Sequence, residues 1–430
     1  MSKLLNPLAR KLNSELGGLS VMLSERGKRT YFPSTGILGQ SAEAKGSAIN
    51  ATIGMAFEED GSPLCLECVE SIINLPSTAF LYAPSFGSPE LRKAWSDMLV
   101  VKNPSLKGKA FSLPVVTSAL THGLSVVGHL FADVGDKIIL PDYYWDNYEL
   151  IFEETYEASL VPFTTFTERG AFNAAGMEQL LMGKGKKKIV LLNFPNNPTG
   201  YTATLKDEKA ICASLKKAAE AGKKIVVVLD DAYFGLVYEK GVSTESMFGK
   251  LMNLHENILV VKLDGPTKED YVCGVRVGFM TFGAKGATAA QYKAFEMKAA
   301  GTVRGSISNV SSIGQNLLLK AFGAADYAKQ KQAKYDILKR RYDRIKAVLG
   351  EHREYKKSFV AMPFNSGYFM CVKPLGVDPE ALRKHLLTKG VGVIVLSGLI
   401  RVAFATVALD KLEKLFATIH EGVQEVKVNS

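Results

Sequence analysis

Ile189–Gly200 reads IVLLNFPNNPTG and Lys224–Tyr233 reads KIVVVLDDAY. In each, a run of β-branched and aliphatic residues gives way abruptly to polar and turn-forming ones. Such runs are strands buried on both faces, because a strand with one wet face alternates apolar with polar residues. Lys137–Leu140 (KIIL), Ile258–Leu263 (ILVVKL) and Val275–Thr281 (VRVGFMT) have the same character. Between them, stretches such as Leu205–Ala221 carry apolar residues at helical spacing. Strand, helix, strand in this order predicts an α/β fold: a mostly parallel sheet covered on both faces. The last third differs. Ala324–Leu349 is a long charged helical pattern, followed by Tyr368–Val372, Pro379–Lys389 and Val391–Val395 in β-α-β-like order. That predicts a smaller α+β domain reached through a long helix. The expected division is 1–70 for an N-terminal arm and part of the small domain, 71–325 for the large domain, and 326–430 for the linking helix and small C-terminal domain.

The 430 residues exceed one compact core, in keeping with two domains. Lys and Arg number 53 against 43 Asp and Glu, a net charge of +10 spread thinly, with short knots such as Lys184–Lys188 (KGKKK). Nucleic-acid binders concentrate their charge, so an enzyme without a nucleic-acid partner is expected. No window approaches the ~18 uninterrupted apolar residues of a membrane span. Five cysteines rule out a disulfide scaffold. Cys65 and Cys68 form a C-x-x-C with no second pair at zinc spacing; they read as packed thiols, and no metal is expected. The opening MSKLLNPLARKLNSELGG lacks the apolar core of a signal peptide, and Glu15 with sparse Arg argues against a transit peptide. The cytoplasm is the expected compartment.

Ligands of open parallel sheets sit outside the carboxyl ends of the strands. There the chain places Pro195–Gly200 (PNNPTG), Asp230-Asp231-Ala232-Tyr233, Asp264–Lys268 (DGPTK) and Pro141–Trp145 (PDYYW). Singly, each has an ordinary reading: a tight turn, a helix cap, a solvated lysine, a core tryptophan. Jointly, an amide, a carboxylate, a phenol, a lysine and an aromatic ring are the residue types a pyridoxal phosphate site requires. The lysine amine forms a Schiff base with the aldehyde, and the carboxylate keeps the pyridine nitrogen protonated. Amide and phenol bond the ring oxygen, and the aromatic face stacks on the ring.

With these motifs, spread from about Ile49 to Ala405, the sequence resembles the class I aminotransferases of the fold-type I pyridoxal phosphate family, leaning toward the aspartate aminotransferase branch. The resemblance implies a three-layer large domain with a mostly parallel sheet, plus a smaller α+β domain. Lys268 matches the Schiff-base lysine, and Arg276 in GVRVGF the phosphate-binding arginine. Asp230 matches the partner of the pyridine nitrogen; Tyr233 and Asn197 match the groups on the ring oxygen. Trp145 falls where the family stacks an aromatic. Leu120 and Thr121, in TSALTHGL, fall at the phosphate-cradling helix N-terminus. Tyr82, in YAPSFGSPELRKAW, resembles the tyrosine that reaches a neighbouring subunit's phosphate, which implies a homodimer.

Among substrate contacts, Arg401 in IRVAFA matches the arginine that pairs the α-carboxylate, with Asn197 beside it. Gly54, in INATIGMAF, falls at a pocket glycine near that carboxylate. Arg304, in MKAAGTVRGSISN, resembles the arginine that aspartate-type enzymes offer from the other subunit to a side-chain carboxylate. One departure concerns the phosphate. The family places Ser or Thr three residues before the lysine and Ser immediately before it; here these are Gly265 and Thr267, and only Thr267 offers a hydroxyl.

The implied activity is reversible, ping-pong amino transfer between an amino acid and a 2-oxo acid, aspartate with 2-oxoglutarate first and aromatic amino acids next. Lys268, Asp230 and Tyr233 are its catalytic residues. The alternative is a pyridoxal phosphate-dependent C–S lyase or a related enzyme on the same fold. A ligand-binding regulator without turnover is disfavoured, because the lysine is present.

Overall fold

The apolar runs come together in a seven-stranded sheet in a computed structural model that describes residues 5–31, 36–71 and 75–428. Across the sheet the order is Val115–Thr117, Gly278–Ala284, Ile258–Asp264, Lys224–Asp230, Lys187–Asn193, Lys137–Pro141 and Ser159–Phe163. Every pairing is parallel except the two made by Gly278–Ala284. Side chains alternate between two faces, and both are buried. Val190, Leu192, Val227, Leu229 and Val260 join one core; Ile189, Leu191, Val228, Val261 and Leu263 join the other. Helices Ala174–Met182 and Leu205–Glu220 cover the first face through Met177, Leu181, Ile211 and Leu215. Helices Ala119–Phe131 and Ala289–Ile307 cover the second through Leu124, Val127, Ala299 and Val303. Each such aliphatic side chain removed from water contributes about 1.5–3 kcal/mol, which is why four unbroken runs were enough to set the layer order.

Helix Tyr327–Glu351 leads to a four-stranded antiparallel sheet of Phe359–Ala361, Met370–Pro374, Ile394–Leu396 and Leu399–Val402. Helices Pro379–Thr388 and Leu412–Val428 pack together beside it through Leu382, Leu386 and Val423. The N-terminal part contributes here too: Ile49–Asn50 pairs in parallel with Val391–Gly392, and helix Ile37–Glu43 lies against Ile394–Leu396. Earlier, helix Pro7–Leu16 opens the arm, and Arg29 ties its end to Glu157 of the large sheet's surroundings at 2.7 Å.

Two expected strands begin later than their sequence suggests. The run at Val275–Thr281 becomes a strand only from Gly278. Val275 N–H turns back to the Val272 carbonyl, and Arg276 takes a left-handed φ of +57°. This turn overrides the β-propensity of Val275 and Val277 and aims Arg276 at the sheet's edge. Tyr368–Val372 likewise shifts to Met370–Pro374, and Val391–Val395 divides at Val393.

Candidate active site

Register places the first components. Asn193 is the Cα partner of Asp230, and Asp230 that of Leu263, the residue before the last of its strand, so three adjacent strands finish together at one edge. At that edge lies a cavity of about 290 Å³, into which Gly54, Leu120, Thr121, Trp145, Asn197, Asp230, Tyr233, Lys268, Arg276 and Arg401 all project. Ten of the twelve residues singled out from the sequence thus meet in one place. Tyr82 and Arg304 do not. Tyr82 is 92% exposed, and Arg304 lies exposed on helix Ala289–Ile307, donating to Ser308 Oγ at 2.9 Å. Ser85 Oγ donates to the Ser308 carbonyl at 2.7 Å, which joins the two segments that carry them.

Asp230 is fully buried at the cavity floor. Tyr148 Oη donates to its Oδ2 at 2.6 Å and Ala232 N–H to its Oδ1 at 3.2 Å. Burial nonetheless pushes this carboxyl up to about 6, with neighbouring Asp231 adding to the rise. A cation placed against it would be strongly favoured. Asn193 fixes both neighbours: its Nδ2 donates to the Asp230 carbonyl at 2.8 Å and its Oδ1 accepts the Asn197 N–H at 2.8 Å.

Lys268 sits on the short helix Pro266–Glu269 that follows strand Ile258–Asp264. Its Nζ donates to the Gly54 carbonyl at 2.5 Å and lies 3.7 Å from Cys273 Sγ and 5.7 Å from the Tyr233 ring centre. Among the described residues it makes no ion pair. Burial depresses its pKa, and the charges of Arg276 and Arg401 depress it further. Tyr233 stands edge-on to Phe369, which in turn stacks under the Arg401 guanidinium at 4.6 Å. That guanidinium is fully enclosed. It donates to Asn197 Oδ1 at 3.1 Å and to the Thr52 carbonyl at 2.8 Å, while its Nε has no partner.

Pyridoxal phosphate fits this donor set. Asp230 offers a buried carboxylate that makes no ion pair among the described residues; Thr267 Oγ1 is buried without a partner. Beside Thr267 lie Arg276 and the first turn of helix Ala119–Phe131, which Ser118 leaves without a side-chain cap. The unpartnered Arg401 Nε suits a carboxylate.

Gly265 is a matter of space as well as of a missing hydroxyl. A Cβ there would lie 3.0 Å from Gly278 Cα and 3.1 Å from the Val277 carbonyl, both backbone atoms. Gly278 is itself pressed against Ala119, at 2.8 Å from its carbonyl carbon to a would-be Cβ. Restoring the family's serine by Gly265→Ser is therefore expected to destabilise the protein by about 1–3 kcal/mol. Urea unfolding measures this; an unchanged midpoint would show that the backbone yields freely.

The sequence reading missed Tyr148, Asn193, Phe369 and Ile37, all of which line the cavity. Counting register from the strand end would have found Asn193. Tyr148 stands in the same PDYYWDNY segment as Trp145, with two other tyrosines and nothing to choose it. Phe369 and Ile37 arrive from segments distant in sequence. Cys65 and Cys68 carry free thiols, and among the described residues no cluster of three metal-ligating side chains occurs. No described helix is long and apolar enough to cross a membrane.

Residues 56–419 match the family described as aminotransferase class I and II. A probable N-acetyl-LL-diaminopimelate aminotransferase of Bacillus subtilis is 26% identical over 199 residues, 46% of this chain and 47% of that one. A probable aspartate/prephenate aminotransferase of Aquifex aeolicus is 28% identical over 204 residues, 46% of this chain and 48% of that one. The chain spans about half the length of these curated relatives. An aminotransferase structure from Anaerococcus prevotii superposes with a TM-score of 0.82 at 24% identity, covering 93% of this chain and 98% of that one, a likeness of fold. Matched over most of its length and carrying a cavity whose donors suit the cofactor of that family, the chain belongs to the class I and II aminotransferases, pyridoxal phosphate-dependent proteins of fold type I.

Proposed function

We propose that the protein moves an amino group between an amino acid, aspartate first and aromatic amino acids next, and 2-oxoglutarate, in two ping-pong half-reactions. One observation carries this reading: a buried primary amine at Lys268, without an ion pair among the described residues, shares a cavity with the buried carboxylate of Asp230 and the partly unpartnered guanidinium of Arg401. Bound there, pyridoxal phosphate supplies an aldehyde carbon for the substrate amine and a ring that accepts the electron pair released at Cα. The chain does the rest. Arg401, aligned by Asn197 and the Thr52 carbonyl, holds the α-carboxylate and so orients Cα–H. With its pKa depressed, Lys268 can take the Cα proton and return it. Asp230 would hold a proton at the pyridine nitrogen, and Tyr233 and Asn197 would hold the ring oxygen. Trp145 would cover the ring, while Arg276, Thr121, Thr267 and the backbone at Leu120 would hold the phosphate. Gly54 leaves room beside Phe369 and Tyr233.

In this reading 71–325 is the cofactor-binding domain, and residues 1–70 and 326–430 supply the arm, linking helix and small domain. The active unit is a homodimer, with Tyr82 and Arg304 reaching the partner's cavity. Exposed Phe80, Leu81, Tyr82 and Ile307, in segments joined by the Ser85–Ser308 hydrogen bond, support that assembly. The relative named for aspartate supports the substrate choice.

Aspartate added to the cofactor-loaded protein is expected to bleach the visible absorption of the bound cofactor, and 2-oxoglutarate to restore it. No change with aspartate, but bleaching with tyrosine or alanine, would overturn the dicarboxylate assignment. Arg304→Ala is expected to raise KM for aspartate about tenfold or more, the value of a charge-assisted hydrogen bond. KM for tyrosine should move far less; equal losses on both would remove Arg304 from side-chain recognition.

A further inference from the structure

Burial pushes four of the five free thiols up, Cys212 to about 11 and Cys371 to about 12, with Cys65 and Cys68 moved the same way. The fifth, Cys273, is half-buried and stands beside the cavity's amine. Its Sγ donates to the Thr267 carbonyl at 3.2 Å, which leaves the sulfur's lone pairs for Lys268 Nζ, a donor at 3.7 Å. The Cys273 carbonyl accepts from Arg276 Nη1 at 3.1 Å. Two cations thus lie beside a partly exposed thiol, the setting in which cysteine is oxidised.

The chain between the two residues keeps them facing. The Lys268 carbonyl accepts from Tyr368 Oη at 2.8 Å and from Tyr271 N–H at 3.4 Å, and Asp270 N–H donates to the Pro266 carbonyl at 2.9 Å. Tyr271 takes a left-handed φ of +58°, which turns the chain back toward the amine. The two intervening carboxylates are engaged elsewhere. Glu269 pairs with Lys102 at 2.8 Å and Lys331 at 2.7 Å; Asp270 pairs with Lys331 at 2.8 Å and accepts from Tyr327 Oη at 2.6 Å. Among the described residues, Cys273 is therefore the one side chain that hydrogen-bonds the Lys268 amine. Burial depresses the pKa of that amine; the thiol opposes the shift, and the charges of Arg276 and Arg401 add to it. The neutral form so favoured is the nucleophilic one.

We propose that Lys268 and Cys273 are a modification site, joined by a reversible sulfur–nitrogen bridge when a hydroperoxide oxidises the thiol. With hydrogen peroxide, one oxygen adds to Cys273 Sγ as the O–O bond breaks, giving a sulfenic acid and a water. The Lys268 amine then attacks that sulfur. The S–N bond forms, the S–O bond breaks, and hydroxide leaves with a nitrogen proton as a second water. Thiol and amine together give up an electron pair, which the peroxide takes. A dithiol reverses the reaction, becoming a disulfide while Sγ and Nζ regain their hydrogens. The flexible lysine stem closes the gap. An amine already attached to cofactor is closed to this chemistry, so cofactor protects the pair and the bridge excludes cofactor. That exclusion rests on the role proposed for Lys268; the bridge rests on the contact alone.

Trypsin reads the bridge. Leu263–Arg276 (LDGPTKEDYVCGVR) contains both residues and offers a cleavage site after Lys268. From the cofactor-free full chain treated with hydrogen peroxide, this peptide is expected uncut and about 2 Da lighter than its unmodified form. Dithiothreitol should restore both mass and cleavage. Loading the cofactor first should lower the bridged fraction at least about fivefold, since the attached amine is withdrawn by mass action. Cys273→Ser should give no bridge and take up cofactor equally before and after peroxide. The parent should lose its uptake at least about fivefold, read as visible absorption, until reduced. A light peptide still cut after Lys268 would place the new bond on the Gly274 nitrogen, and a peptide heavier by oxygen alone would show oxidation without bridging. Either would overturn the bridge. A bridged chain that still developed the absorption of attached cofactor would instead overturn the role of Lys268, with the bridge intact.

Discussion

Lys268→Ala is expected to abolish the visible absorption of lysine-bound cofactor and to lower amino transfer from aspartate by at least ~10⁴-fold, since in the proposed mechanism one amine supplies both the attachment point and the proton carrier. The fold should not suffer. Lys268 is a buried amine without a carboxylate partner, held by the Gly54 carbonyl and the Cys273 thiol. Enclosing such a group costs free energy, and alanine removes that cost. The cofactor-free variant should therefore unfold at or above the temperature of the cofactor-free parent. A variant that kept the parental absorption would overturn the assignment of Lys268. One that unfolded well below the parent would show that the amine serves structure as well as chemistry.

Lys262 presents the opposite case. It is fully buried on the face of the sheet turned away from the cavity, paired with Asp231 and, at 3.0 Å, with Asp264 Oδ2. Asp264 Oδ1 also accepts from Trp95 Nε1 at 3.0 Å, and the Phe234 ring lies 5.1 Å from the ammonium. Removing the cation leaves two buried carboxylates uncompensated. Lys262→Met is expected to cost about 3–5 kcal/mol, a fall in Tm on the order of 10 °C. Adding Asp264→Asn should recover part of the loss, because the pair is then nearly matched again. Thermal unfolding of the three proteins checks this; a single variant within about 2 °C of the parent would show that the carboxylates find other compensation.

The central strands were legible because four aliphatic runs lack the polar alternation of a half-wet sheet. The polar cluster was legible because it follows those runs at one edge. What escaped depended on tertiary packing. Nothing in VRVGFMT marks Arg276 as the left-handed residue of a turn, since each neighbour favours a strand. Gly265 read as a lost hydroxyl until its distance to Gly278 gave it a steric reason. Ile37 and Phe369 join the cavity only after two distant parts of the chain pack together. Tyr82 and Arg304 stand outside the cavity of the single chain.

Asp230 and Asp231 are chemically alike and adjacent, yet they face opposite sides of the sheet: one lines the cavity, the other neutralises Lys262. Only parity along the strand tells them apart. Inserting or deleting one residue within Lys224–Leu229 would alter their surroundings, turning the cavity's carboxylate toward the face that holds the buried ammonium and leaving the cavity floor to its twin. The sheet's alternation thus acts as a reading frame for function, and a frame shift that preserved composition entirely would forfeit activity and stability together.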